Sequence, residues 1–164
     1  MQKILFICGS LNQTTMMHKI STHLSDRFEC KFTPYYGDKV INYFTKMGLL
    51  DFTVLGGEFK KATENYLALN NLKIDYYGSD NDYDLVVTCS DLLVPKNIKD
   101  KKIVLVQEGM TDPENVFFYL AKYLGFPRYL ASTSTTGLSN TYETFCVASE
   151  GCKKLFTRKG CNPD

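Results

Sequence analysis

Ile4 to Cys8 is an unbroken apolar run of strand length, the pattern of a strand covered on both faces as in parallel sheets. Gly9 and Ser10 follow, residues that let the chain turn sharply. Met17, Ile20 and Leu24 then fall at helical spacing, and Thr14 or Thr15 can cap that helix. A strand, a short polar loop and a helix are how open α/β sheets begin. In such sheets ligands gather outside the carboxyl ends of the strands.

The same alternation continues. Phe28 to Tyr36 alternates well enough for a second strand, ended by Gly37-Asp38. Val40 to Leu50 predicts a helix, Phe52 to Leu55 a short strand or loop, and Glu58 to Leu72 a helix carrying Phe59, Ala62, Tyr66 and Leu69. Asp84 to Ser90 and Ile103 to Gln107 are further strands. Asp112-Pro113 predicts a helix start, with Val116, Phe117, Leu120 and Leu124 as its apolar positions and Gly125 to Pro127 as its stop. Tyr129 to Ala131 predicts a short strand, and the small polar residues Ser132 to Ser139 a mobile connecting loop, with a turn of helix at Leu138 to Tyr142. Thr144 to Ala148 is a last strand, and Ser149 caps a last helix that Gly160 closes. Strands alternating with helices predict one α/β domain over 1–164, a Rossmann-like parallel sheet flanked by helices.

Composition narrows the function classes. The chain has 164 residues, 44% hydrophobic and 23% charged, ordinary values for a globular domain. A net charge of +1 gives no electrostatic case for nucleic acid or an anionic membrane, and Lys153, Lys154, Arg158 and Lys159 read as the solvated face of one helix. The six cysteines show no CxxC pair and no zinc-ligand spacing, and Cys8, Cys89 and Cys146 lie in apolar runs, so no metal is expected. With no leader and no membrane-length apolar run, the expectation is a cytoplasmic protein with reduced thiols, free or peripheral to the inner face of a membrane.

Two stretches carry a family resemblance. Phe145 to Asp164 ends a strand in Ser-Glu, continues as a helix with Lys and Leu, and closes on Gly-Cys-Asn-Pro-Asp. It resembles the end of the N-terminal domain in GT-B-fold glycosyltransferases and the related UDP-N-acetylglucosamine 2-epimerases. Val104-Leu-Val-Gln-Glu-Gly-Met-Thr-Asp112 resembles the epimerases' strand ending in His-Val-Glu-Ala-Gly-Leu-Arg. The resemblance implies one half of a GT-B fold, the acceptor-side domain of a nucleotide-sugar enzyme, most simply a glycosyltransferase. Its partners would be a sugar or glycan acceptor and a C-terminal donor-binding domain or partner chain. That half would hold the nucleotide-sugar donor, a co-substrate, with no other cofactor. Because this chain ends at Asp164, where the crossing to that half is expected, the isolated domain is expected to be inactive.

Glu108 is the leading candidate for chemistry. It follows a central strand, beside Gly109, which lets a ligand approach, and the aligned glutamate of the epimerases does acid/base work. A carboxylate enclosed in a cleft has its pKa raised and can serve there. The epimerases' histidine and arginine are missing, with Val106 and Met110 nearby instead, and a carboxylate that merely caps the next loop's amides is the structural alternative. His18 has the resting pKa of a base for an acceptor hydroxyl, although it lies several residues into the helix, where a surface histidine is commonplace. His23 is given no role. Gly9, Ser10, Asn12, Gln13 and Thr14, at a helix N-terminus, are the expected wall for a sugar hydroxyl or an anion. Turn and cap chemistry alone accounts for Ser10 and Thr14, which gives Asn12 and Gln13 more weight.

Three other readings compete. Ile7-Cys-Gly-Ser-Leu11 is similar to the first loop of flavodoxin-like FMN reductases, although that loop usually carries a basic residue and more hydroxyls. Low-molecular-weight tyrosine phosphatases need an arginine where this chain has Thr14, which excludes them. The third is a non-catalytic subunit of a split transferase.

Overall fold

The computed structural model describes residues 1–109 and 111–163; Met110 and Asp164, both named above, lie outside the described residues. Five strands form one parallel sheet: β1 (Lys3–Cys8), β2 (Glu29–Pro34), β3 (Leu85–Thr88), β4 (Lys102–Val106) and β5 (Thr144–Cys146), in the order β2-β1-β3-β4-β5. Phe6 is in register with Phe32 of β2 and Val87 of β3, and Val104 with Val87 and Thr144. The helices are α1 (Leu11–Thr22), α2 (Lys39–Lys46), α3 (Gly57–Leu69), α4 (Val116–Leu124) and α5 (Glu150–Lys159). This is a Rossmann-like α/β fold, as the alternation predicts. Among the described residues no helix is long and apolar enough to cross a membrane.

A further pairing completes the sheet's outer edge. Ile74 makes one parallel bridge to Phe32, with Phe32 N–H donating to the Lys73 carbonyl at 2.9 Å and Asp75 N–H to the Phe32 carbonyl at 2.8 Å. The bridge is a single residue outside the five strands, whose order 2-1-3-4-5 is that of flavodoxin-like doubly wound sheets.

The unbroken apolar run of β1 has its physical reason here, since Ile4 to Cys8 are all at most 2% exposed. Ile4, Phe6 and Cys8 pack under Met17 of α1 and Leu67 of α3, with Phe6 stacked on Phe32 at 5.2 Å. Leu5 and Ile7 face the opposite cluster with Tyr35, Tyr36, Tyr83, Val86 and Ile103. Phe156 of α5 closes over Leu105 and Phe145. Truncating a side chain as buried as Phe6 to alanine costs about 3–5 kcal/mol.

Several local expectations are corrected. Ser10, not Thr14 or Thr15, caps α1. The fourth helix begins at Val116 with Asn115 as cap, its Oδ1 accepting from Phe118 N–H at 3.0 Å; Asp112 is drawn instead to Thr133, whose hydroxyl donates to it at 2.8 Å. Of that helix's side chains Phe118 is buried, while Val116, Phe117 and Leu124 stay exposed. Phe52 to Leu55 takes the loop of the two forms expected, whereas Arg128–Thr135 is 3-10 helix, so no strand forms at 129–131. The expected loose connector at 132–139 is packed: Ser134, Thr135 and Thr136 are buried.

Asp91 explains that packing. Only 2% exposed, it accepts from Gly137 N–H at 2.9 Å and Ser139 N–H at 3.0 Å, and pairs with the Arg128 guanidinium at 2.9 Å. Gly137 sits at φ +84°, and a Cβ there would lie 2.7 Å from the Phe145 ring and 2.8 Å from Cys161 Sγ, so the close approach needs glycine. Asp91→Ala should cost about 3 kcal/mol in urea unfolding, because it strands the partner cation, the buried Gly137 amide and the half-buried Ser139 amide. A loss below about 1 kcal/mol would mean that the segment holds itself.

Asp75, 1% exposed, anchors the turn before β3. Burial alone would raise its pKa, but hydrogen bonds from Tyr83 and Asn81 and the amides of Asp80 and Ser79 outweigh it and hold the carboxyl below its usual 3.8. A depressed folded pKa stabilises fully above the unfolded value, and that contribution is lost as pH falls through the folded one. Asp75→Asn should therefore lower the urea midpoint at about pH 7 and narrow its gap to wild type at about pH 3. A gap that is equal at both pH values would rule this contribution out.

Candidate functional site

β1 ends at Cys8, and the turn into α1 is a reciprocal cap. Ser10 Oγ accepts from Gln13 N–H at 3.3 Å, while Gln13 Oε1 accepts from Ser10 N–H at 3.1 Å. Gly9 makes room for this, since a Cβ there would lie 1.8 Å from Gln13 Oε1. Both cap residues still have a side-chain donor to give, and each gives one to Glu108. Ser10 Oγ reaches Oε1 at 3.1 Å and Gln13 Nε2 reaches Oε2 at 2.5 Å. The cap sets the direction of each donor: the Ser10 oxygen already accepts, and the Gln13 carbonyl is already used.

β4 delivers Glu108 from the other side. Its neighbour Gln107 ties the strand end to α5, accepting from Ala148 N–H at 3.0 Å and donating to the Gly109 carbonyl at 2.7 Å and Cys152 Sγ at 3.4 Å. The Cys152 thiol is pulled below its ordinary range by hydrogen bonds from Ser149 and then Gln107.

Between these loops lies a cavity of about 240 Å³. Asn12 and Gln13 line it from the loop and helix after β1, Cys89 and Ser90 from the end of β3, and Gln107, Glu108 and Gly109 from the end of β4. Thr111, Thr133 and Thr136 form its far wall. The cavity therefore opens at the carboxyl ends of β1, β3 and β4, where chain order reverses across the sheet and ligands bind in open α/β folds. At its base the Cys89 thiol is pushed up by burial and then by the negative Glu108, which leaves it a neutral, unreactive group.

The far wall is braced from behind by Lys159, which is 2% exposed. Its Nζ donates to Thr111 Oγ1 at 3.1 Å, the Ser134 carbonyl at 3.2 Å and the Asp112 carbonyl at 3.3 Å, and lies 5.9 Å from the centres of both the Phe118 and Phe156 rings. Burial draws its pKa down.

The structure thus brings Gly9, Ser10, Asn12, Gln13, Glu108 and Gly109 to one place. Two expected residues are elsewhere. Thr14 is fully buried, its hydroxyl donating to the Ser10 carbonyl at 2.8 Å and lying 3.2 Å from Thr63 Oγ1 of α3. His18 points into a cleft near the amino ends of β1 and β2, with Nδ1 3.1 Å from the Tyr66 hydroxyl and its ring edge-on to Phe32. Cys89 and Ser90 went unread in the sequence, although they follow β3 as Gly9 and Ser10 follow β1. Thr133 and Thr136 carry no local signal.

Chemically, the site offers one oriented carboxylate among hydroxyls and amides, a lining suited to an uncharged polyhydroxylated ligand. No protein-family model, curated protein or solved structure matches this chain. Among the described residues no group of three or more His, Cys, Asp or Glu could hold a metal ion.

Ser10→Ala should cost about 1 kcal/mol through the lost cap. A double-mutant cycle of Gln13→Ala with Glu108→Gln should show a coupling of about 0.5 kcal/mol or more in urea unfolding. Strict additivity would separate the two side chains.

Proposed function

We propose that this chain is the acceptor-side domain of a nucleotide-sugar-dependent glycosyltransferase, with Glu108 as the general base. The observation that carries the reading is the clamped Glu108 carboxylate at the rim of a hydroxyl- and amide-lined cavity over the carboxyl ends of the central strands. An acceptor hydroxyl held there gives its proton to Glu108 while its oxygen attacks the anomeric carbon of the donor sugar. The bond to the diphosphate breaks, and the nucleoside diphosphate leaves with the donor-binding half, a second domain or partner chain. Ser10 and Gln13 keep the carboxylate aimed, which is the proximity effect of a positioned base. Glu108 stands exposed in this half, so a covering half is what would exclude water around it. Cys8, Cys30, Cys89, Cys152 and Cys161, none of them in a disulfide, accord with a reducing, cytoplasmic setting.

The helix N-terminus argues against the flavin alternative. A phosphate would have to approach α1 where Ser10 and Gln13 are already committed to the protein's own carboxylate, and two anions would repel.

The test is nucleotide-sugar turnover in the natural full reading frame, or in a mixture of this chain with a candidate donor-binding chain. Glu108→Gln should lower kcat about a hundredfold or more, and His18→Ala should leave it within about twofold. Unchanged turnover in Glu108→Gln removes the base. A product that is an epimerised free sugar nucleotide, with no transfer, moves the assignment to the epimerase-like alternative.

A further inference from the structure

The three protons of the buried Lys159 ammonium go to the Asp112 and Ser134 carbonyls and to one side chain, Thr111 Oγ1. That last bond decides what Thr111 can do. Its oxygen accepts from a cation, so its own proton is left to give, and no described protein atom takes it. A hydroxyl polarised by an ammonium also gives its proton more strongly. Thr111 lines the polar cavity, so the cavity has a donor of fixed sense on its far wall.

Thr136 is a second such group. It is 7% exposed, it lines the same wall, and its hydroxyl bonds to no described protein atom. Among the described residues no side-chain oxygen or nitrogen closed off from solvent lacks a partner, so the Thr136 hydroxyl opens into the cavity it lines. A hydroxyl this enclosed has lost most of its water without gaining a protein partner, a cost that a ligand oxygen offsets. Thr133 differs from both, because it donates to Asp112 Oδ2 at 2.8 Å and accepts from Asp112 N–H at 3.0 Å.

The near wall has the complementary chemistry. Glu108 Oε1 and Oε2 each accept one protein bond, from Ser10 and Gln13, and each carboxylate oxygen has room for another. Acceptors therefore face donors across a space of about 240 Å³. A sphere of that volume is about 8 Å across, more than the two steps of about 2.8 Å by which a single oxygen joins two partners, and close to three. Two oxygens on adjacent carbons supply the third step.

Resting on the sugar-transfer reading above, we infer that the acceptor is recognised as a vicinal diol: its reacting hydroxyl donates to Glu108, and the oxygen on the neighbouring carbon accepts from Thr111 and Thr136. These two threonines are then the residues that set acceptor specificity.

The probes are trans-cyclohexane-1,2-diol, whose oxygens are spaced like neighbours on a pyranose ring, and cyclohexanol. Each is titrated into the isotopically labelled chain and followed by amide chemical shifts. The diol should bind at least about fivefold more tightly, the worth of one further hydrogen bond, and shift the amides of Glu108, Thr111 and Gly137 together. Thr111→Val and Thr136→Val, which keep the shape of the side chain, should each remove most of that preference and leave cyclohexanol binding unaltered. Equal affinity for the two probes, or no binding of the diol, overturns the inference. A preference that survives both substitutions overturns it as well, because the second oxygen is then read elsewhere. If the preference is absent while Glu108→Gln still lowers turnover, sugar transfer stands with an acceptor held by one hydroxyl. If the preference is present while Glu108→Gln leaves turnover unchanged, the cavity binds a diol and Glu108 is not the base.

Discussion

The hydrogen bonds from Ser10 and Gln13 to Glu108 join residues more than ninety positions apart, and the geometry of the site depends on them. A carboxylate at the end of a parallel strand ordinarily has freedom to swing into solvent. Here the cap of the first helix fixes two donors before Glu108 arrives, because Ser10 and Gln13 satisfy each other's backbone first. Local helix chemistry thus becomes long-range positioning. The same arrangement changes what the helix N-terminus can do, since a loop that would otherwise invite an anionic ligand already faces an internal one.

The opposite wall is built on a different principle. Asp91 and Lys159 are ionisable groups nearly removed from water, and each spends its hydrogen-bonding capacity on backbone groups of the 3-10 segment and the loops beside it. Such groups contribute little net stability compared with well-packed carbon, but removing one leaves its partners unsatisfied. They suit a segment that must hold one conformation, including the unfavourable backbone of Ser132, without a strand or long helix to enforce it.

What could be read in the sequence follows from the range of the forces involved. β1 was legible because burial on both faces leaves an unbroken apolar run, and Ser149 and Gly160 bounded α5 correctly because caps are local. The Ser10-x-x-Gln13 cap was written in the sequence as well, yet Thr14 and Thr15 offered equivalent chemistry nearby. Asp112 was read as a cap from Asp-Pro alone, but a tertiary partner, Thr133, holds it and Asn115 caps the helix instead. The 132–139 segment looked like a connector since nothing local distinguishes small residues that wrap a buried carboxylate from small residues that wander. Ile74 was out of reach for the opposite reason, as one bridge has no periodicity. Glu108 and the loop after β1 were singled out by the position rule for open sheets together with the family resemblance, whereas His18 was favoured by that resemblance and by the general chemistry of imidazole, and geometry placed it elsewhere.

The five strands have the order of flavodoxin-like proteins, in which a flavin phosphate sits at the loop after the first strand, and the crevice lies between β1 and β3, where chain order reverses. Glu108 overlooks that crevice and makes its near wall negative, whereas the far wall is neutral threonine with a lysine bonded behind it. A phosphate entering from the near side meets a like charge, while a neutral hydroxyl meets an acceptor. The electrostatics of this cavity therefore favour a neutral hydroxylated ligand over a phosphate.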